Sequence, residues 1–199
     1  MKTLTLVVTT VVLCAMSTAA FSQQIDAAFG VSALTAPSSN NAATFSAFTQ
    51  SLSGGTYLSF SGDALIKHNF GVGGEIAWRA HQNLFAGFQP YRPVFWDFNG
   101  IYAPRFSKYT GAELQAGIGA ESIRFYQNFY TCGYFSGCTN YTTSTHFMGH
   151  FGAGIRFYPF GNFFIRPEAH VYLIRNNIEF SSNYAVRYGA SIGYTFGGR

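Results

Sequence analysis

Past residue 22 the chain alternates apolar and polar positions with a period of two, the pattern of strands whose two faces meet different surroundings. The alternation occurs in eight segments. The first sets Ile25, Ala27, Phe29, Val31 and Ala33 against Asp26, Ala28, Gly30 and Ser32. The second sets Leu58, Phe60, Gly62, Ala64 and Ile66 against Ser59, Ser61, Asp63 and Lys67, and the third sets Phe70, Val72, Gly74, Ile76 and Trp78 against Gly71, Gly73, Glu75 and Arg79. In the fourth, Val94, Trp96, Phe98, Gly100 and Tyr102 oppose Phe95, Asp97 and Asn99. Ala112, Leu114, Ala116, Ile118 and Ala120 then oppose Glu113, Gln115, Gly117, Gly119 and Glu121. The sixth places Phe147, Gly149, Phe151, Ala153, Ile155 and Phe157 opposite His146, Met148, His150, Gly152, Gly154 and Arg156. The seventh places Phe163, Ile165, Ala169, Val171 and Leu173 opposite Phe164, Arg166, Glu168, His170 and Tyr172. The last places Tyr184, Val186, Tyr188, Ala190, Ile192, Tyr194 and Phe196 opposite Arg187, Gly189, Ser191, Gly193 and Thr195. No charge falls on the apolar face of any segment. Pro167 sits mid-strand, where its missing N–H predicts a bulge nearby.

The connections alternate long and short. Thr35 to Gly55, His81 to Arg92, Gln127 to Ser144 and Arg175 to Asn183 are long, whereas His68-Asn69, Pro104 to Lys108 and Gly161-Asn162 are tight turns. That order is the one an even-stranded, up-and-down antiparallel barrel with both termini at one end requires. Either face could be the wet one. In a soluble, lipocalin-like barrel the apolar face lines a ligand cavity, and in a transmembrane barrel it meets lipid around a polar interior. Composition favours the second. Charged residues are 10% and aromatics 19% of 199 residues, against about 25–35% charge on an ordinary soluble surface. Glycines crowd the polar face, as suits a narrow lumen. Trp78 and Trp96 gather toward one end, and Phe70, Tyr102, Phe157, Phe163, Tyr194 and Phe196 toward the other, as two interfacial girdles do. The predicted fold is all-β, an eight-stranded antiparallel up-and-down transmembrane β-barrel.

Residues 1–22 read as a cleaved secretory signal: Lys2, the apolar run Leu4 to Met16, and Ala20-Phe21-Ser22 before the cut, with an alternative cut after Ala20. The apolar run falls short of the roughly 20 residues of a spanning helix. Leu13-Cys14 lacks the small residue that a lipobox would place before the cysteine. Residues 23–199 form one barrel domain. An exported chain meets an oxidising compartment, so Cys132 and Cys138 are expected to form a disulfide. Two thiols without further ligands make a poor zinc site. The formal charge of +4 is scattered and forms no nucleic-acid groove.

The end of the chain, Arg187-Tyr188-Gly189-Ala190-Ser191-Ile192-Gly193-Tyr194 followed by Phe196, resembles the C-terminal assembly signal of outer-membrane barrels. Gly189, Ile192, Tyr194 and Phe196 are its matching positions, and the chain departs from the pattern by continuing through Gly197, Gly198 and Arg199. From about Gln24 to Phe196 the chain is similar to the OmpA-like and OmpX-like small barrels. The resemblance implies residence in the outer membrane after export through the periplasm. It also implies contact with outer-membrane lipid and lipopolysaccharide, insertion by the barrel-assembly machinery, a monomeric state and a surface ligand of unknown identity.

The lumen is expected to hold Asp26, Asp63, Glu75, Asp97, Glu113, Glu121 and Glu168 among Lys67, Arg79, Arg156, Arg166 and Arg187. Carboxylates beside His150 or His170 could serve as acid and base. The structural alternative, a network of paired charges filling a narrow space, is the stronger reading. A register centred on Gly161-Asn162 sets Gly154 opposite Glu168 and Arg156 opposite Arg166, so Glu168 and a second carboxylate such as Glu113 are expected between the arginines. His146 and His150 lie roughly 13 Å apart along a strand at about 3.3 Å per residue and cannot share a metal. No phosphate-cradling loop, nucleophile elbow or metal motif occurs, and no cofactor is expected. Three functional classes follow. A non-enzymatic envelope protein acting through its scaffold and outer loops comes first. A narrow passive channel and a lipid A-modifying enzyme are the alternatives. Lipid A deacylases resemble small barrels with a His-x-Ser pair, absent here, and the palmitoyltransferase kind needs an apolar interior.

Overall fold

The computed structural model describes residues 24–36, 52–67, 69–85, 87–133, 137–175 and 183–197. The signal segment with Cys14, much of the connections Thr35 to Gly55 and Arg175 to Asn183, His68, and the last two residues lie outside them. The strands are β1 Gln24–Thr35, β2 Thr56–Lys67, β3 Phe70–Arg79, β4 Asn83–Phe85, β5 Gln89–Tyr102, β6 Thr110–Gly133, β7 Gly137–Phe160, β8 Phe163–Ile174 and β9 Tyr184–Gly197. Consecutive strands pair antiparallel except β3 with β4, β9 returns to β1, and β3 joins β5 directly. The ring therefore closes with eight strands. The three-residue β4 is a flap on the start of β5 and takes no part in it.

One end of the barrel carries Gln24 beside Gly197, together with the short turns. In two of those turns Asn69 (φ 69°) and Gly161 (φ 57°) take the left-handed backbone that these residue types tolerate best. The opposite end carries the long connections.

Four details depart from the sequence reading. The stretch Gln127 to Ser144 is not a loop: β6 and β7 continue through it as a hairpin, with a register irregularity between Tyr126 and Thr131. Polar threonines and tyrosines pair there without alternation, because neither face of the projecting arm belongs to the barrel wall. The connection His81 to Arg92 contains β4 and the extended start of β5. Leu65 keeps the inward phase of Ser59, Ser61 and Asp63, but a register shift between Leu65 and Lys67 leaves both Ile66 and Lys67 exposed, so Lys67 is not a lumen residue. Finally, Gly154↔Glu168 and Phe157↔Ile165 keep one register on both sides of Pro167. The β7–β8 irregularity falls instead between Phe157 and Phe160, next to the turn.

The two faces are unambiguous. Phe60, Phe98, Ile118 and Phe151 are more than half exposed on the outside, whereas Arg156, Arg166 and Arg187 are at most 1% exposed within. Burying a large apolar side chain is worth roughly 1.5–3 kcal/mol. Even at half that value, some thirty such exposed side chains outweigh a net folding stability of about 5–15 kcal/mol. The outer wall is built for an apolar medium.

Inside, the lumen is layered. Leu34, Leu52, Tyr57, Tyr91, Phe95, Ile123, Met148, Tyr172, Ile174 and Ala185 form an apolar and aromatic plug at the end with the long connections. Leu65, Ile101 and Ala103, and separately Ala28, Tyr158 and Phe164, pack toward the turn end. Most of the buried charged residues occupy the layer between, while Arg79 and Glu121 lie beside the plug residues Tyr91 and Phe95.

Candidate functional site

Two arginines from neighbouring strands hold the middle of the lumen. Arg156 on β7 donates from Nε to Glu113 Oε2 (2.5 Å) and from Nη2 to Asp63 Oδ2 (3.3 Å), and its Nη1 meets Asp26 from across the barrel. Arg166 on β8 donates from Nε to Glu168 Oε2 (2.6 Å) and Ser191 Oγ (3.1 Å), from Nη2 to Ser61 Oγ (3.2 Å), and from Nη1 to Glu113. Glu113 thus lies between the two guanidiniums, which would otherwise repel. Phe164 closes the cluster, its ring centroid 4.9 Å from the Arg156 guanidinium carbon. Charges removed from water persist only when paired and hydrogen-bonded, and this arrangement ties β1, β2, β6, β7, β8 and β9 together through side chains alone.

Toward the plug lies a second cluster. Arg187 on β9 donates to Glu75 Oε1 on β3 at 2.5 Å. His150 and His170 meet nitrogen to nitrogen, His150 Nε2 to His170 Nδ1, at 2.9 Å. His150 Nδ1 lies 2.8 Å from Asn99 Oδ1, and Asn99 Nδ2 donates to Asp97 and more distantly to Gln115 (3.5 Å). His170 Nδ1 lies 3.6 Å from Glu75 Oε2, and its Nε2 lies 3.5 Å from Glu168 Oε1. Gln115 also donates to Glu113, so a polar chain links the two clusters. The register explains the approach of the histidines. His150 faces Tyr172 and Gly152 faces His170 across β7 and β8, which makes the two imidazoles diagonal neighbours. A Cβ at position 152 would lie 2.9 Å from His170 Nδ1, so the glycine makes room for the ring. One donor atom each from Glu75, His150 and His170 lies within 4.8 Å of the others, the grouping among the described residues that could hold a metal ion.

No protein-family model matches the sequence, and no curated protein matches it. Solved structures do match in shape. The chain is similar to Neisserial surface protein A, with a TM-score of 0.62 at 11% identity over 88% of this chain and 98% of that one. It is similar to Ail, the attachment invasion locus protein of Yersinia pestis, at 0.56 and 13% over 87% and 98%. OprG of Pseudomonas aeruginosa follows at 0.51 and 12% over 88% and 97%. The chain has the fold of the small eight-stranded outer-membrane barrels. At these identities the likeness carries the fold and no activity.

Within this small barrel, eleven of the twelve expected lumen charges point inward, Lys67 being the departure. They do not all join one continuous set of ion pairs. Asp26, Asp63, Glu113, Glu168, Arg156 and Arg166 cluster together, and Glu75 pairs with Arg187. Asp97 meets Asn99 and His150. Arg79 donates to the Tyr91 hydroxyl at 3.3 Å and stacks 5.9 Å from that ring. Glu121 is fully buried opposite His146 on β7.

The Cys132–Cys138 disulfide is present at the tip of the β6–β7 hairpin. From Phe125, the last β6 residue paired with β5, the arm runs to Gly133, roughly 26 Å at about 3.3 Å per residue. Exposed Phe129 and Tyr130 stand along it, and Arg124 lies over the Tyr141 ring. Of the C-terminal assembly positions, Ile192, Tyr194 and Phe196 face outward and Gly189 faces inward beside Ser32. The His150–His170 contact escaped the sequence reading, which measured His150 only against His146 on the same strand. The register already derived from the Gly161-Asn162 turn would have shown it.

Proposed function

We propose that the mature chain is a non-enzymatic integral outer-membrane protein, exported through the periplasm. It acts as a filled scaffold that presents the β6–β7 hairpin and neighbouring loops outside the cell. The observation that carries this reading is the inverted burial. Of eight Asp and Glu residues in the chain, seven are buried in the lumen, while large apolar side chains cover the outer wall. A barrel so arranged is stable only in lipid, and eight strands enclose a space that side chains can fill. Here they do, with the aromatic plug at one end and the arginine cluster in the middle. The scaffold role leaves surface recognition to the arm, where the disulfide closes the tip and exposed Phe129 and Tyr130 stand on the strand leading to it. Insertion by the barrel-assembly machinery, contact with lipopolysaccharide and a monomeric state belong to the same reading.

Membrane fractionation and planar-bilayer recording test it together. The mature chain is expected in the outer membrane, with no sustained porin-like current. Recovery as a soluble monomer without detergent refutes the placement. Large, stable, ion-selective currents from the wild-type protein refute the filled lumen and replace the scaffold with a channel.

A further inference from the structure

The histidine cluster goes beyond a scaffold. We propose that Glu75, His150 and His170 form a buried binding site for one divalent cation of the zinc class, with Glu75 Oε2, His150 Nε2 and His170 Nδ1 as its ligands. His146 and His150, roughly 13 Å apart along one strand at about 3.3 Å per residue, cannot share a metal. The pairing of β7 with β8 supplies the second imidazole, and β3 supplies the carboxylate from the facing wall.

The tautomer of His150 is set by a relay. Asn99 Nδ2 donates to Asp97, which leaves Asn99 Oδ1 as the acceptor facing His150 Nδ1 at 2.8 Å. His150 Nδ1 therefore carries the proton, and Nε2 presents a bare lone pair to the site. On the other imidazole, His170 Nε2 lies 3.5 Å from Glu168 Oε1. Each ring thus turns its far nitrogen toward an oxygen acceptor, the outer-shell arrangement that orients metal-bound histidines. Two histidines and a glutamate with an open fourth position are a zinc ligand set.

Two further observations separate a metal site from a mere imidazole pair. Glu75 Oε2 is buried without a hydrogen-bond partner, and His170 Nε2 stands 3.5 Å from Glu168 Oε1 without a bond of ordinary geometry. A bound cation would engage the first and, by taking His170 Nδ1, commit the second to donate toward Glu168. The lumen also holds seven buried carboxylates against four buried arginines, an imbalance that favours a cation. Binding displaces the proton shared between the two imidazoles. It also requires their nitrogens to part from 2.9 Å by about 0.4 Å, as tetrahedral nitrogens 2.0–2.1 Å from zinc do. The aromatic plug covers one end of the lumen, so loading belongs to folding rather than to exchange afterwards.

The test is to refold the untagged mature chain into detergent with Co²⁺, remove free metal, and measure retained cobalt and its visible ligand-field spectrum. The expected result is about one cobalt per chain for wild type and for His146→Gln, whose histidine lies outside the site. His150→Gln and Glu75→Gln are expected to weaken retention by more than about tenfold, since even outer-shell changes cost 10- to 100-fold. Clearly less than one cobalt per folded wild-type chain overturns the proposal, as does unchanged retention in both ligand variants. Should those variants fail to refold, zinc-edge absorption of the zinc-refolded wild type decides. Two imidazole nitrogens at about 2.0–2.1 Å support the site, and fewer than two overturn it.

Discussion

Arg166→Ala is the sharpest probe of the lumen. The substitution leaves Glu113 and Asp63 with Arg156 as their remaining guanidinium and Glu168 with none in this cluster, because Arg166 contacts all three and Arg156 reaches only Glu113, Asp63 and Asp26. Glu168 loses its guanidinium partner in this cluster, and Ser61 and Ser191 lose a donor. Breaking a buried pair by removing one partner costs about 3–5 kcal/mol. The guanidinium also lies 6.0 Å from the Phe164 ring, a contact worth about 0.5–1 kcal/mol more. The expected loss is therefore about 3.5–6 kcal/mol, read as the shift in a reversible urea titration in lipid vesicles followed by the fluorescence of Trp78 and Trp96. Adding Glu113→Gln removes a carboxylate that has lost one of its two guanidinium partners and keeps only Arg156, and should recover part of the loss, with a coupling of about 1–3 kcal/mol. A loss under about 1 kcal/mol, with no coupling to Glu113, would mean that water solvates these charges and the lumen is open.

The wall predicts an asymmetry. Ala116→Arg on the outer face should cost about 2–4 kcal/mol near the bilayer midplane and Gln115→Ala inside much less, so equal losses in the same titration would reverse the faces. Two glycines test close packing. A Cβ at Gly119 would sit 2.0 Å from the Trp96 carbonyl, whereas one at Gly62 meets nothing within 4 Å. Gly119→Ala should therefore cost about 1–3 kcal/mol and Gly62→Ala should be neutral or gain about 0.5 kcal/mol in thermal unfolding. At the arm, unfolded but unreduced protein should show no reactive thiol at Cys132 or Cys138. Replacing both by serine should cost at most about 2–2.5 kcal/mol on the chain-entropy model, and free thiols in the native protein would contradict the bond.

The local pattern of the chain carried the wall of this barrel and only part of its interior. A period of two assigns every residue of a strand to one face, and lipid outside with paired charges inside makes that assignment energetically unforgiving. Strand number, face and the alternation of turns were therefore readable from residues such as Phe98, Asp97 and the Gly161-Asn162 turn. Register was readable wherever a two-residue turn pins it, as the Gly161-Asn162 turn pins Glu168 opposite Gly154. Where a bulge intervenes, one residue flips the face, and Lys67 left the lumen for that reason alone. The hairpin of β6 and β7 was invisible because a two-stranded arm outside the barrel has no apolar side to mark it. Only ring closure and stagger decide which side chains meet across the lumen. Asp26 on β1 reaches Arg156 on β7, and Glu75 on β3 reaches Arg187 and His170, through contacts that no spacing along the chain encodes. Pairing between adjacent strands is a local geometry set by turns, whereas contact across an eight-stranded ring depends on every register at once.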